Sequence, residues 1–414
     1  MSDVNNIPEG WVEAILGENL TEIAMGPFGS NLKVDMFTES GVPVIKGGNL
    51  LGNFIGGDFS FVSEEKADSL RKSVAYPNDL IITHRGTLGQ VSLVPENKYK
   101  RYVASQSQIR LSVDTEKLHH RYLLYFFKSR LGQYEILKNA SQVGVPAIST
   151  PTKSVKEIEL TIPSNTNEQK AIAAILTAFD DKIENLQAQN KTLEKTAQTI
   201  FKEWFGKYQI GDELPEGWSF HSFYSIGDFI NGSAFKSSDF SPNREGLPIV
   251  KIAELKNGIT KSTAFTKKTV DSKYLINNYD ILFSWSGSPK TSIDIFLWTE
   301  NEAILNQHTF NVKIKDQSKK GWYYFLLKYY KPLFIQLAKM KQTTGLGHVT
   351  IANLKEYEFA HPPIFVLEET KVLFSSFYEK IASNQTQIQT LKNTRDTLLP
   401  KLMSGAIRVS DFKG

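Results

Sequence analysis

Asp79-Leu-Ile-Ile-Thr-His-Arg-Gly86 and Asp280-Ile-Leu-Phe-Ser-Trp-Ser-Gly287 are two versions of one strand and turn. In each, an acidic residue leads into an apolar run of strand length that closes on a hydroxyl residue, two variable positions and a glycine. Outward from this pair the echo continues in order. Pro8-Glu-Gly-Trp11 returns as Pro215-Glu-Gly-Trp218, and Gly41-Val-Pro-Val-Ile-Lys46 as Gly246-Leu-Pro-Ile-Val-Lys251. Gln106-Ser-Gln-Ile-Arg-Leu111 returns as Gln307-His-Thr-Phe-Asn-Val312, and Phe179-Asp-Asp-Lys-Ile183 as Phe377-Tyr-Glu-Lys-Ile381. The offset drifts from 207 to 198 residues, as indels in loops would make it. A period this long is a domain duplication rather than a solenoid repeat.

Composition suits two buried cores: 414 residues, 41% hydrophobic, no cysteine. Without cysteine there is neither a disulfide framework nor a thiolate zinc site. No apolar run approaches the length of a membrane span, and Met1-Ser-Asp-Val-Asn-Asn6 lacks the features of a signal peptide, so a cytoplasmic protein is expected. The net charge of +4 is small, and the first 165 residues are close to neutral. Dedicated nucleic-acid binders usually carry a stronger basic bias, so charge leaves that function open.

Each copy closes on a helix of heptad type. Thr166 and Gln169 have the spacing of a capping box after the short strand ending at Pro163. From there Leu176, Phe179, Ile183, Leu186, Asn190, Leu193, Ala197, Ile200 and Trp204 alternate steps of three and four. In the second copy the seam runs through Phe374, Phe377, Ile381, Asn384, Ile388, Leu391, Arg395, Leu398 and Leu402, with Asn384 and Arg395 as polar interruptions. Such stripes need a partner, and the partner expected for each is the other, paired antiparallel, with Asn190 and Asn384 setting register. A helix of roughly 39 residues would be about 58 Å long.

The remaining chain reads as short strands between Gly, Asn and Pro turns, with one aromatic helix per copy, Tyr122–Phe127 and Trp322–Leu327, expected in the core. The fold class is therefore α+β: two similar, mostly-β domains separated by two long helices that form an antiparallel coiled coil, a pseudo-two-fold internal repeat. The expected boundaries are 1–165, 166–207, 208–365 and 366–414.

Catalytic motifs are missing. There is no phosphate-cradling loop, no nucleophile elbow and no zinc-binding His pair on a helix. The adjacent His119 and His120 are expected in a solvated loop. Ala360-His-Pro-Pro-Ile-Phe365 faintly resembles the turn with which amino-methyltransferases hold adenine, but His361 stands in the acceptor position and no glycine-rich cofactor loop precedes it.

With the duplication, the two heptad helices and the absent chemistry in hand, the chain resembles the specificity subunit of type I restriction-modification systems. The resemblance is carried over nearly the whole length by the two Pro-Glu-Gly-Trp openings, Thr83-His-Arg-Gly-Thr-Leu-Gly89, Gly144-Val-Pro-Ala-Ile148, Glu168-Gln-Lys-Ala-Ile-Ala-Ala-Ile-Leu176 and Leu399-Pro-Lys-Leu-Met-Ser-Gly405. It implies a non-catalytic chain with two target recognition domains, each reading one half of a split, asymmetric sequence of double-stranded DNA. It further implies a coiled coil that sets the gap and docks two methyltransferase subunits, with a motor nuclease (restriction) subunit joining. S-adenosylmethionine, ATP and magnesium would then belong to the partner subunits, and this chain would hold no cofactor or metal. At about 3.4 Å per base pair, a 58 Å helix limits the gap to about 17 base pairs. The alternatives are a two-headed adaptor for a protein or glycan, and a stand-alone DNA-modifying enzyme.

Positions that differ inside shared turns are the candidates for reading DNA. In the turn after Asp79 these are His84, Arg85 and Thr87, answered by Trp285 and Ser286. Arg85 suits guanine O6 and N7, a phosphate, or a structural salt bridge. The loop from Gly26 offers Ser30, Asn31 and Lys33, and its counterpart Ser233 and Lys236. The shared Lys46 and Lys251 suit phosphates. Gln142, Thr344 and His348 come from a matched pair of loops, whereas Gln106 and Gln307, being shared, are expected to be framework.

Overall fold

The computed structural model describes residues 7–141, 143–341 and 346–412. They form two compact units, residues 1–180 with 393–414, and residues 181–392. Each unit therefore takes part of both long helices, Thr166–Phe205 and Ile364–Met403.

Unit 1 holds two four-stranded sheets. In the first, the order is Leu20–Met25, Gln108–Val113, Leu80–Thr83, Val91–Leu93, all antiparallel. In the second it is Ser60–Val62, Val42–Ile45, Tyr102–Ala104, Val74–Ala75, with the middle pair parallel. Unit 2 repeats both. Gly227–Asn231, Thr309–Ile314, Ile281–Ser284 and Asp294–Leu297 form one sheet. Phe265–Thr266, Leu247–Val250, Ala303–Leu305 and Leu275–Ile276 form the other, again parallel in the middle. The apolar runs within Asp79–Gly86, Asp280–Gly287, Gly41–Lys46 and Gly246–Lys251 are four of these strands. Several are buried on both faces, as their unbroken apolar character requires.

The shared motifs have local physical reasons. In Pro-Glu-Gly-Trp the tryptophan N–H donates back to the proline carbonyl, 3.0 Å for Trp11 and 3.1 Å for Trp218. The glycine takes φ of +75° and +80°, the left-handed conformation that a type II turn requires at its third residue. The turn launches a strand, Trp11–Ile15 or Ser219–Ser222, against the one entering each long helix, Glu159–Pro163 or Glu358–His361. Asp79 and Asp280 cap the turn before their strands, accepting from the N–H of Tyr76 at 2.8 Å and of Asn277 at 3.0 Å.

Both aromatic helices lie in the cores, with Tyr122, Phe127, Trp322 and Phe325 fully covered. His119 and His120 are not in a solvated loop. They are half-buried at the start of the helix His120–Lys128, their rings 4.5 Å apart. Burial, with the nearby charge of His120, Lys170 and Arg121, pushes His119 down to about 4. Gln169 does not cap the central helix. Asn165 does, through its side chain to the N–H of Asn167 at 2.9 Å, while Gln169 is fully buried and bonds His119, Lys117 and Pro163.

Within each unit the segments of the two helices run antiparallel. In unit 2, Ile183 and Leu186 pack with Ile388 and Leu391. Further along, Asn384 donates to Asn190 at 2.8 Å and Asn190 to the Ile381 carbonyl at 3.3 Å. In unit 1, Leu176 shares a core with Leu402, and Arg395 pairs with Asp180. The seam departs from the heptad reading in places. Phe179 and Phe377 are only half-buried, and their neighbours Asp180 and Tyr378 are buried instead. Beyond Ala197 the buried positions are Phe201 and Phe205, with Ile200 half-buried and Trp204 46% exposed. A straight helix drifts from a strict 3.5 repeat, and the adjoining helix Lys320–Tyr329 widens the face to be covered.

Candidate nucleic-acid interface

In each unit four segments meet beyond the end of one strand. In unit 1 the strand Leu80–Thr83 runs into the turn at His84, whose N–H donates to the Ser107 carbonyl and whose carbonyl accepts from Ile148, both at 2.9 Å. Arg85 bridges Ala147, and the Gly86 N–H reaches Pro146 at 2.8 Å. The loop from Gly26 enters over the same turn. A side chain at Gly26 would place its Cβ 1.8 Å from the Ser105 carbonyl oxygen, and one at Gly232 2.2 Å from that of Asn306. Only glycine permits this approach, which is why both copies keep it. Unit 2 assembles the rim by the same contacts: Trp285 N–H to the His308 carbonyl at 3.4 Å, Val349 N–H to the Trp285 carbonyl at 2.9 Å, and Ser286 paired with His348.

The rims differ in what they present. In unit 1, Ser30, Asn31, Lys33, Arg85 and Thr87 are exposed. His84 corrects the expectation for it: the ring is 6% exposed, faces the Gln106 carbonyl at 3.2 Å, and burial lowers its pKa. It supports the turn and does not face outward. In unit 2, Lys236 is exposed, Ser233, Trp285 and His348 are half-buried, and Ser286 is 5% exposed, a second correction. Ser286 lies on the short strand Ser286–Gly287, and pairing with Gly347–His348 covers it. Gln142 and Thr344 lie outside the described residues.

Lys46 and Lys251 sit over aromatic rings, 4.4 Å from the centre of Phe37 and 4.9 Å from that of Phe240. That packing accounts for their presence in both copies as much as a phosphate would. The rim also exposes residues that were not among the sequence-based candidates. Gln106 was assigned to framework because it is shared, yet its side chain is exposed. Phe28 is 79% exposed in the loop from Gly26, and His308 is exposed where unit 1 has Ser107. Only for His308 does the sequence carry a signal, the difference between copies at a matched position.

His361 forms no adenine pocket: it stacks on His221, centres 4.3 Å apart, and ends a strand before the C-terminal helix. Burial, with His221 and Lys319 nearby, pushes it down to about 4. Among the described residues no three His, Asp or Glu side chains are placed to hold a metal ion, and no helix is long and apolar enough to cross a membrane.

Comparison with known proteins agrees with this double architecture. A specificity subunit of the type I restriction enzyme MjaIX of Methanocaldococcus jannaschii is 26% identical over 441 aligned positions, covering 99% of this chain and 96% of that protein. The MjaVIII specificity subunit of the same organism is 24% identical, covering 83% of this chain and 82% of its own. The fold resembles the crystal structure of a type I restriction-modification S subunit from M. genitalium, with a TM-score of 0.58 at 19% identity, covering 97% of this chain and 98% of that one. The profile described as type I restriction modification DNA specificity domain matches twice, at residues 8–195 and 215–393. Both copies being matched over most of their length, the chain belongs to the type I restriction modification DNA specificity domain family.

Proposed function

We propose that this chain is the non-catalytic subunit that selects the DNA target of a type I restriction-modification enzyme. Residues 1–165 and 208–365 each read one half of a split sequence in double-stranded DNA. Residues 166–207 and 366–414 are the spacer that sets the gap and docks two methyltransferase subunits, and a restriction subunit joins the assembly. S-adenosylmethionine, ATP and magnesium act on those partners. The setting is the cytoplasm.

The observation that carries this reading is one rim built twice by the same backbone contacts and furnished with different exposed side chains, Ser30, Lys33 and Arg85 in one copy against Lys236 and His308 in the other. A common scaffold with divergent rims suits two different half-sites, so the target is asymmetric. Base edges carry the sequence information and phosphate contacts hold the register.

Single-molecule sequencing of adenine methylation in host DNA, with and without the gene, tests it. The expected result is one split, asymmetric motif that disappears in the deletion. An unchanged methylome in a strain expressing the chain with its partner subunits would refute the assignment.

A further inference from the structure

On the reading just proposed, the question left by the rims is which group in unit 2 reads a base, since the residue in Arg85's place, Ser286, is buried. We propose that Asn231 is a base-reading residue of unit 2, that Trp285 is its positioning residue, and that the pair addresses a hydrogen-bond acceptor on a base edge.

The Trp285 indole N–H donates to Asn231 Oδ1 at 3.0 Å. The indole itself is held by near-parallel stacking on Phe310, centres 5.4 Å apart at 24°, and is flanked by His308 at 5.9 Å and His348 at 5.8 Å. Trp285 is thus fixed by its neighbours, and through its one donor it orients the exposed carboxamide of Asn231. With the oxygen engaged, the outward function of that carboxamide is its N–H pair, which has no hydrogen-bond partner among the described residues.

The matching places in unit 1 are different in kind. Strand pairing sets Met25 opposite Ile109 as Asn231 is set opposite Phe310, so Met25 holds the place of Asn231. His84 holds that of Trp285, Ser107 that of His308, and Ala147 that of His348. Packing alone gives no reason for an exposed amide braced by an indole on one copy of a shared scaffold. Framework residues such as Gly26 and Gly232 are the same in both. An asparagine that reads adenine uses its oxygen and its nitrogen together. Here the donor side is presented, which suits guanine O6 and N7 or thymine O4.

The test uses the full chain with its partner subunits in the host, and reads the methylated motif for the wild type, Asn231→Ala, Asn231→Asp and Trp285→Phe. Asn231→Ala is expected to keep one half-site and the gap intact and to relax a single position of the other half by about tenfold to a hundredfold, as loss of a base contact does. Asn231→Asp replaces the donors with an acceptor and is expected to shift that position toward cytosine or adenine. Trp285→Phe keeps a ring on Phe310 but removes the indole donor, and is expected to relax the same position more weakly. An unaltered motif in Asn231→Ala, or relaxation of both halves, overturns the inference while leaving the specificity function standing. A wild type that directs no split motif removes the reading on which the inference rests.

Discussion

Units 1 and 2 share their sheets but solve one position of the helix pair in opposite ways. In unit 1 the buried position is Asp180, 8% exposed, accepting from Asn53 at 2.6 Å, from the Tyr125 hydroxyl at 2.7 Å and from the Arg395 guanidinium. Burial would raise its pKa, but the hydrogen bonds from Asn53, Tyr125 and Arg395 prevail and hold the carboxylate below its ordinary range. In unit 2 the same position is Tyr378, which donates to the Tyr279 carbonyl at 2.6 Å and meets the Tyr324 ring edge-on at 5.4 Å. Arg395 has Ala197 as its counterpart, buried beside Phe201 in an aromatic core with Trp322 and Phe374. A duplicated backbone thus tolerates a charged lock in one copy and an aromatic one in the other, provided each buried polar group is satisfied.

The largest effect is expected at that lock. Arg395→Met leaves a buried carboxylate without its cation, and should cost about 3 kcal/mol. Tyr378→Phe, which removes one neutral hydrogen bond, should cost about 1 kcal/mol. Denaturant titration of both variants measures the difference, and equal costs would erase the distinction between the two locks. Because the folded pKa of Asp180 lies below its ordinary 3.8, the ion pair's contribution is present above that pH and is lost as pH falls through the folded value. The gap between the two variants should therefore close in strong acid.

At the rims, Arg85→Ala should weaken recognition of one half-site by about tenfold to a hundredfold and leave the other intact. The matched change Ser286→Ala, at a covered position, should leave both halves unchanged. Methylome sequencing of the two variants decides it. Loss in both halves from Arg85→Ala would mean that the residue holds the phosphate backbone or the fold.

The smallest effect concerns a likeness. Burial places His119 in unit 1 and His361 in unit 2 both at about 4. Folded values below the ordinary 6.5 mean that this stability is complete above pH 6.5 and is lost as pH falls toward 4. Acid should thus weaken both units in parallel. His119→Gln and His361→Gln should each remove about 1 kcal/mol of that pH dependence, after allowance for solvent screening. Calorimetry across this range measures it, and a response from one unit only would separate their acid behaviour.

The strands, the duplication and the long helices were legible because apolar periodicity is a local property, written in residues two, three or four apart. Asp79, Gly10 and Gly217 are legible for the same reason, since each serves a turn within a few residues of itself. Where the seam turns from Phe179 to Asp180 was not legible. That choice belongs to Asn53, Tyr125 and Arg395, which are far away in the chain. The rims divide in the same way. Comparing the copies was enough to mark the turn after Asp79 as variable, but exposure was set by what lies across from it: a carbonyl at Gln106 turns His84 inward, a paired strand covers Ser286, and the Trp285 indole gives Asn231 a direction. By itself the sequence determined two copies of one α+β scaffold and their helices. Only the tertiary structure decided which polar side chains face outward, because burial and hydrogen-bond partners come from segments that meet in space and not along the chain.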